Sequence, residues 1–148
     1  MNGGQKVAAI TGAYGGLGRA LSRALAERGY ALLVGGKNQT ELDKLVQELK
    51  LLTQVEKMLL DVRSSDECEK FVATAEEKFG RLDVLINAAG ILTLEGVESV
   101  EDKNLKDIFE TNVAGTIFCT RAAVRAMKKQ GSGCIINIAS RAAVDRYP

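Results

Sequence analysis

A glycine-rich turn near the N-terminus restricts the fold of this chain more than any other feature. Residues 11–18 read Thr-Gly-Ala-Tyr-Gly-Gly-Leu-Gly, between a short apolar run at 6–10 and apolar residues at helical spacing. Gly12 permits a tight turn, Gly16 leaves room for a pyrophosphate, and Gly18 lets the helix pack closely on the strand. Phosphates are attracted by the free N–H groups and positive dipole at a helix start. The turn therefore predicts a strand, a tight turn and a helix that form a phosphate-binding site.

The spacing of these glycines leaves two interpretations open. The pattern Gly-x-x-x-Gly-x-Gly differs from the more common dinucleotide fingerprint and from the Walker loop. Glycines in a strand-to-helix turn can also serve structure alone, but the position directly after the first strand favours a dinucleotide site. The residues of this turn that are predicted to contact the dinucleotide are Gly12, Tyr14, Gly15, Gly16, Leu17 and Gly18.

Strand-like and helix-like segments alternate along the chain. Strands are expected at residues 6–10, 31–34, 55–60, 82–86 and 134–138. Helices are expected from the glycine turn to Gly29, at 42–49 with Asn38 or Thr40 as N-cap, from Ser64 to Gly80, and at about 101–129. This alternation, without an internal linker, predicts one α/β domain over residues 1–148, built on a parallel sheet covered on both faces. Its crossovers are right-handed and its ligand lies at the carboxyl ends of the strands.

Two local patterns predict how particular helices begin and bend. Ser64 and Glu67 have the spacing of a capping box, in which each side chain bonds the backbone N–H of the other residue. Gly115, inside the long helix, predicts a kink or a close packing contact.

Composition excludes several functional classes. The net charge of +1 argues against a nucleic-acid or membrane surface, and no apolar run approaches the roughly 18 residues of a transmembrane helix. The absence of histidine removes imidazole bases and most zinc sites. The three cysteines have no metal-ligand spacing, which favours reduced thiols and, without a leader-like N-terminus, a cytoplasmic protein.

Five motifs in order carry a resemblance to a known family. They are Thr11-Gly12-x-x-x-Gly16-x-Gly18, Asp61-Val62, Asn87-Ala88-Ala89-Gly90, Asn112 and Ile136-Asn137-Ile138-Ala139-Ser140. In these motifs the chain resembles the classical short-chain dehydrogenase/reductase family. The resemblance implies a Rossmann-type, three-layer, doubly wound sheet of about five strands in the order 3-2-1-4-5. It also implies hydride transfer between NAD(P) and a small carbonyl or alcohol substrate.

The resemblance assigns roles to the middle motifs. It places the Asp61 carboxylate on the adenine amino group and Val62 against the adenine ring, although Asp61 could instead cap a turn. The small residues Ala88, Ala89 and Gly90 admit the ribose, while Asn87 either contacts the cofactor or braces the sheet.

The last motifs concern catalysis. The resemblance implies that Ser140 hydrogen-bonds the substrate oxygen, and that Asn112 holds a water molecule in a proton relay. Taken alone, Ser140 could be a turn residue and Asn112 a polar interruption of a helix.

The end of the second strand bears on cofactor choice. Residues 35–38 read Gly-Gly-Lys-Asn, so no carboxylate stands where it would bind the ribose hydroxyls of NAD. Lys37 can pair with a 2′-phosphate, which favours NADP, although a solvated lysine at a helix start is also common.

The family's acid–base pair, Tyr-x-x-x-Lys, does not occur in these residues. Tyr147 follows Ser140 without a lysine partner and is interpreted as a loop tyrosine. We therefore expect a truncated chain, the N-terminal portion of a longer domain, that binds the cofactor with little or no turnover. The alternative is an inactive dinucleotide-binding module or sensor.

Missing C-terminal strands and helices would leave two surfaces uncovered. Ile135, Ile136 and Ile138 are then expected on an exposed edge strand. The second surface is the apolar face of the helix at 101–129, which would also lose a packing partner. In the family this helix joins subunits, which implies a homo-oligomer for the longer form.

Overall fold

The structure is a computed structural model that describes residues 4–140. Its strands are β1 (Val7–Thr11), β2 (Ala31–Gly36), β3 (Val55–Leu59), β4 (Val84–Asn87) and β5 (Cys134–Asn137). Its α-helices are α1 (Gly16–Glu27), α2 (Gln39–Leu49), α3 (Ser65–Phe79), α4 (Asp102–Ile108) and α5 (Thr116–Gln130). A π-helical segment, Phe109–Gly115, joins α4 to α5.

The five strands form one sheet in the order β3-β2-β1-β4-β5, and every neighbouring pair is parallel. This confirms the predicted order. The chain winds outward in opposite directions on the two sides of β1, so the crevice at the ends of β1 and β4 is a topological switch point. Thr11 is in register with Gly35 on one side and Asn87 on the other, which brings the three strand ends together at that crevice.

The core lies on both faces of the sheet, as the predicted three-layer architecture requires. Ala8 and Ile10 of β1 belong to a buried cluster with residues of α1 and α2. Ala9, which points to the opposite face, belongs to a second cluster with residues of α3 and α5. β1 is therefore apolar without alternation because both of its faces are buried.

The helix ends confirm most of the sequence-based expectations and correct one of them. Asn38 caps α2 by accepting a hydrogen bond from Glu41 N, and Gly80 ends α3 in the left-handed conformation. Ser64 accepts from Glu67 N as predicted. The other half of the predicted capping box, a hydrogen bond from the Ser64 N–H to the Glu67 side chain, is wrong.

That correction has a local cause. The Ser64 N–H already donates to the Asp61 carbonyl in a turn (3.0 Å). The Glu67 carboxylate accepts instead from Asp61 N, at 2.7 Å. Glu67 thereby fixes Asp61, the second residue after β3, which belongs to the site described below.

The long helix expected at 101–129 is not continuous α-helix. It divides into α4, the π-helical segment and α5, and the irregularity centres on Asn112, whose side chain bonds the backbone of Ile91. The close contact predicted at Gly115 is confirmed, since a Cβ there would lie 2.6 Å from Val62 Cγ2. The helix therefore widens where it packs against the end of β3.

Strand boundaries shift by one or two residues from those expected. β4 begins at Val84 instead of Leu82. The residue before it, Asp83, accepts a hydrogen bond from Val7 N through its side chain at 2.8 Å. β1 extends to Thr11 and β4 to Asn87, which carries the strand ends into the crevice.

Two apolar surfaces are exposed among residues 4–140. β5 pairs with β4 at one end of the sheet, with Ile136 and Ile138 partly exposed. Four residues at a spacing of four, each at least 46% exposed, form a second surface, here named the apolar stripe: Leu105, Phe109, Val113 and Ile117. Within the described part of the chain, no helix has the length and hydropathy to cross a membrane.

Candidate functional site

The glycine turn has the geometry that its sequence predicts. Gly12 has φ +61°, and a Cβ there would lie 2.7 Å from Ala89 Cα. A Cβ on Gly18 would overlap the Gly12 carbonyl oxygen, whereas one on Gly16 would meet no heavy atom within 4 Å. Gly18 therefore permits the helix to sit on the turn, and the space beside Gly16 is open.

The first turn of α1 offers backbone donors for an anion. Its N-cap is Gly15, which supplies no side-chain hydrogen bond. The Gly15 N–H donates to the Gly12 carbonyl at 3.1 Å, which closes the turn below the helix start. Uncapped N–H groups at a helix N-terminus bind phosphate oxygens.

Thr11 joins the glycine turn to the segment after β4. Its Oγ1 accepts hydrogen bonds from Ala88 N (3.2 Å) and Ala89 N (3.1 Å). This role was missed from the sequence, although a threonine at a strand end next to a required glycine is a usable signal. The contact fixes the width of the crevice between β1 and β4.

A cavity of about 280 Å³ opens at this switch point. Of the predicted cofactor contacts, it brings together Gly12, Tyr14, Gly15, Lys37, Asp61, Val62, Ala88, Ala89 and Gly90. The lining does not include Gly16, Leu17, Gly18 or Asn87, nor the predicted catalytic residues Asn112 and Ser140. A larger groove of about 460 Å³ lies between α1 and α2. Of the glycine turn, its lining includes Gly16, the residue at which α1 begins.

The ring of Tyr14 packs on the end of β2. A Cβ on Gly36 would lie 2.9 Å from Tyr14 Cδ1, so the glycine at residue 36 makes the space that the ring occupies. The same glycine leaves the end of β2 without a carboxylate.

Asp61 lies at the centre of a charged cluster. Arg63 donates to both carboxylate oxygens of Asp61 through Nε (3.1 Å) and to Oδ2 through Nη2 (2.7 Å). Lys37 Nζ lies 3.3 Å from the same Oδ2. The side-chain hydrogen bond from Arg63 outweighs the opposing effect of burial and, with Lys37, holds the pKa of Asp61 well below its usual range. Asp61 is therefore a carboxylate at any ordinary pH.

Arg63 also reaches across the cavity. Its Nη1 donates to Asp107 of α4 at 3.0 Å, and Lys103 Nζ lies 3.3 Å from the other oxygen of Asp107. Sequence reasoning missed Arg63 and Asp107. The signal for Arg63 was an arginine two residues after a candidate cofactor-binding aspartate, but its partner Asp107 is 44 residues further along the chain.

Asn87 braces two strands. It is buried, and its Nδ2 donates to Asn137 Oδ1 of β5 (2.8 Å) and to Thr120 Oγ1 of α5 (3.1 Å). The sequence left a cofactor contact or a sheet brace open for Asn87, and both of the hydrogen bonds that its amide donates are internal to the protein. The geometry supports a structural brace.

The side chain of Asn112 binds the backbone of Ile91, the first residue of the loop at 91–100. Its Oδ1 accepts from Ile91 N and its Nδ2 donates to Ile91 O, while its own carbonyl accepts from Thr116 Oγ1 at 2.9 Å. The side-chain amide is therefore committed to the loop at 91–100. Ser140 follows β5 and is exposed; Tyr147 lies outside the described residues.

The geometry fits a dinucleotide. An uncapped helix N-terminus, a glycine turn that no side chain obstructs beside Gly16, and a strand-end cavity with Asp61 and Lys37 meet at a topological switch point. This combination defines a Rossmann-type dinucleotide-binding fold.

Comparison with known proteins identifies the family within this class. A family model described as short chain dehydrogenase matches residues 6–148. The chain belongs to this family, whose members are oxidoreductases. A chanoclavine-I dehydrogenase of Penicillium roqueforti is 39% identical over 155 residues, which cover 97% of this chain and 59% of the relative. An uncharacterized oxidoreductase of Staphylococcus saprophyticus is 31% identical over 137 residues, covering 91% and 58%.

Solved structures agree with this assignment. A variant of actinorhodin polyketide ketoreductase with NADPH is 32% identical, with a TM-score of 0.92, and the match covers 97% of this chain and 56% of that one. An alcohol dehydrogenase of the archaeon Thermococcus sibiricus, complexed with 5-hydroxy-NADP, is 32% identical with a TM-score of 0.89, covering 97% and 62%. The chain spans 58% to 60% of the length of the curated relatives it matches.

Proposed function

We propose that these residues bind NADP(H) for hydride transfer between the nicotinamide and a carbonyl or alcohol substrate. The observation that carries the proposal is the switch-point cavity, which joins the glycine turn to Lys37 and Asp61. At the end of β2 the cavity is lined by Gly36 and Lys37, where a carboxylate would disfavour a 2′-phosphate.

Each part of the cavity has a proposed partner on the cofactor. The N–H groups at the start of α1 would hold the pyrophosphate, and Asp61 with Val62 would contact the adenine. The small residues at 88–90 leave room for a ribose, and Lys37 would pair with the 2′-phosphate. The NADPH and 5-hydroxy-NADP in the two structural relatives support this assignment for a chain of the same fold.

The substrate side of the proposal rests on Ser140 and Asn112. The nicotinamide, when bound, supplies or accepts the hydride. The Ser140 hydroxyl would donate a hydrogen bond to the substrate oxygen and stabilise the negative charge that develops there. Since the Asn112 amide bonds Ile91, we propose that its side chain positions the loop at 91–100, and that a relay water would use its backbone carbonyl.

The acid–base step requires residues that these 148 do not supply. No Tyr-x-x-x-Lys occurs in the sequence, and a positioned acid or base typically contributes about 10²–10⁴-fold to rate. We propose that residues 1–148 alone bind the cofactor with little turnover. The second candidate for this stretch of chain is a dinucleotide-binding module or sensor, which would lack the same motif.

Cofactor titration tests the binding proposal. NADPH and NADH are titrated into the chain and followed by nicotinamide fluorescence, with Lys37→Asp as the test variant and Lys50→Asp, at the end of α2, as the matched control. We expect NADPH to bind more tightly than NADH, and Lys37→Asp to reverse that order. Equal NADPH affinity in the wild type and the Lys37 variant would contradict the assignment.

A second experiment separates the enzyme from the binding module. NADPH oxidation is measured with a panel of small carbonyl compounds for the 148-residue chain and for a version extended to the full length of a relative. We expect cofactor binding in both and turnover in the extended chain. Turnover by the 148-residue chain would refute the proposed inactivity, and an extended chain that binds NADPH without turning over any substrate would support the sensor.

A further inference from the structure

Arg63 connects both sides of the cavity. Two of its nitrogens donate to the two oxygens of Asp61, and the third donates to Asp107 on α4. A guanidinium bound in this bidentate way is fixed in orientation as well as in charge. Its side chain is only one-third exposed. Arg63 is thus a permanent counterion of Asp61.

Lys37 contacts the same carboxylate more loosely. Its Nζ lies 3.3 Å from Asp61 Oδ2, and its side chain is 59% exposed. A lysine ammonium is a mobile point charge on a flexible stem. Of the two cations on Asp61, Lys37 is the one that can leave.

The charges around Asp61 determine the free-energy cost of releasing Lys37 from its carboxylate. With Arg63 present, departure of Lys37 leaves Asp61 neutralised by a bidentate partner. Without Arg63, Lys37 would be the remaining cation on a partly buried carboxylate, and its departure would leave that charge unpaired. A 2′-phosphate would then have to compete with Asp61 for Lys37.

We propose that Arg63 is a specificity-determining positioning residue, which neutralises Asp61 and thereby frees Lys37 to bind the 2′-phosphate of NADP. The inference rests on the proposed function, since it concerns the same cofactor site. In this proposal Arg63 acts through Asp61 and Lys37, and not by contacting the phosphate itself. Its effect is therefore a preference for NADPH over NADH, beyond any loss of binding that both cofactors share.

The test is the ratio of the dissociation constants for NADH and NADPH, measured by fluorescence titration. Both cofactors carry the same adenine, so damage to the adenine subsite cancels in this ratio. We expect Arg63→Gln to lower the ratio by about tenfold, the effect of losing one charge-assisted contact. The matched control is Arg125→Gln, which removes an arginine paired with Glu69 on the surface of α3 and α5; the ratio should not change.

Rescue distinguishes this role from a merely structural one. In the double variant Asp61→Asn with Arg63→Gln, Lys37 has no carboxylate to hold it, so we expect the ratio to return toward the wild-type value. A ratio that stays low in the double variant would overturn the proposal. A ratio unchanged by Arg63→Gln would overturn it as well.

Two further variants keep the outcomes separate. If Arg63→Gln does not fold, Arg63→Met, which keeps a long stem and removes the charge, takes its place, and a ratio equal to that of the wild type then counts against the inference. Lys37→Ala tests the proposed function itself. If it removes the preference while Arg63→Gln does not, only the inference about Arg63 fails; if Lys37→Ala leaves the ratio unchanged, the assignment of NADP fails first.

Discussion

The side-chain amide of Asn112 closes on the backbone of Ile91, accepting from its N–H at 2.9 Å and donating to its carbonyl at 2.8 Å. The two residues are 21 positions apart. Asn112 sits in the π-helical segment, where an irregular turn often marks a functional site. The pair of bonds ties the long helix to the loop that leaves the cavity.

Loss of this pair should loosen the loop at 91–100. We expect Asn112→Ala to raise amide hydrogen exchange in these residues by about tenfold or more, since two hydrogen bonds of roughly 1 kcal/mol each are removed. Exchange is measured by mass spectrometry on peptides that cover the loop.

Two variants serve as comparisons. Asn112→Asp keeps the acceptor for Ile91 N and loses the donor, so an intermediate increase is expected. Asn104→Ala removes an exposed bond from Asn104 to Glu95 in the same loop, and its effect should be smaller. Equal exchange in the wild type and Asn112→Ala would show that the loop is held by other contacts.

The glycines of the turn differ in what a methyl group would do. At Gly18 a Cβ would overlap the Gly12 carbonyl oxygen and lie 2.9 Å from Ala13 Cα, so Gly18→Ala should destabilise the fold by about 1–3 kcal/mol. At Gly16 the space is open, and alanine is the better helix former by roughly 0.5–1 kcal/mol. Urea unfolding of the two variants measures the difference.

The same two variants separate stability from binding. Gly16→Ala should fold at least as well as the wild type and yet bind NADPH more weakly, because the methyl group would enter the space proposed for the pyrophosphate. If both variants lost the same amount of stability, the finding that a methyl group at Gly16 meets no other atom would be contradicted.

The local features of the fold were predictable because they depend on neighbouring residues. A glycine directly after an apolar strand predicted a turn, and Gly12 has positive φ there. Asn38, one of the two predicted caps of α2, accepts from Glu41 N. The strand order followed from the resemblance. The apolar pattern of β1 also gave a strand buried on both faces.

Features that depend on partners outside a recognised sequence pattern were not predictable. Glu67 bonds Asp61 N instead of Ser64 because the turn after β3 already occupies the Ser64 N–H. The π-helical segment depends on a bond from Asn112 to Ile91, and the bridge from Arg63 depends on Asp107. No recognised sequence pattern contains these pairs. Arg63 and Asp107, which line the cavity and were missed, therefore have roles that are set by tertiary contact.

The apolar stripe is predicted to be buried by a second copy of the chain. Leu105, Phe109, Val113 and Ile117 are each substantially exposed on the surface of the long helix, and the family resemblance places a subunit interface on this helix. We expect a chain extended to the length of its relatives to sediment as a dimer or larger assembly, and Phe109→Asp to shift it toward the monomer. Leu94→Asp, at a fully exposed leucine of the 91–100 loop, is the control and should leave the assembly intact. A wild-type chain that is monomeric at all concentrations would contradict the prediction.

Asp83 makes stability depend on pH in a defined direction. Burial alone favours the protonated acid, and hydrogen bonds from Arg81 and from Val7 N outweigh it, so the pKa of Asp83 lies below its usual value. Its carboxylate therefore contributes stability that is present above the pKa of the unfolded chain and is lost as the pH falls through the folded-state pKa. At pH 7, Asp83→Asn should cost about 1–3 kcal/mol in the free energy of unfolding, because the bidentate contact with Arg81 is lost.

Urea unfolding of Asp83→Asn and the wild type, repeated from pH 7 downward, tests this assignment. The difference in unfolding free energy between them should shrink once the wild-type carboxylate begins to protonate, in the acid range below the ordinary aspartate pKa of roughly 4. Glu77→Gln, an exposed carboxylate on α3, controls for the change in net charge and should show little difference at any pH. If the cost of Asp83→Asn were the same at acid and neutral pH, the contribution of Asp83 would come from packing and neutral hydrogen bonds instead of from its charge.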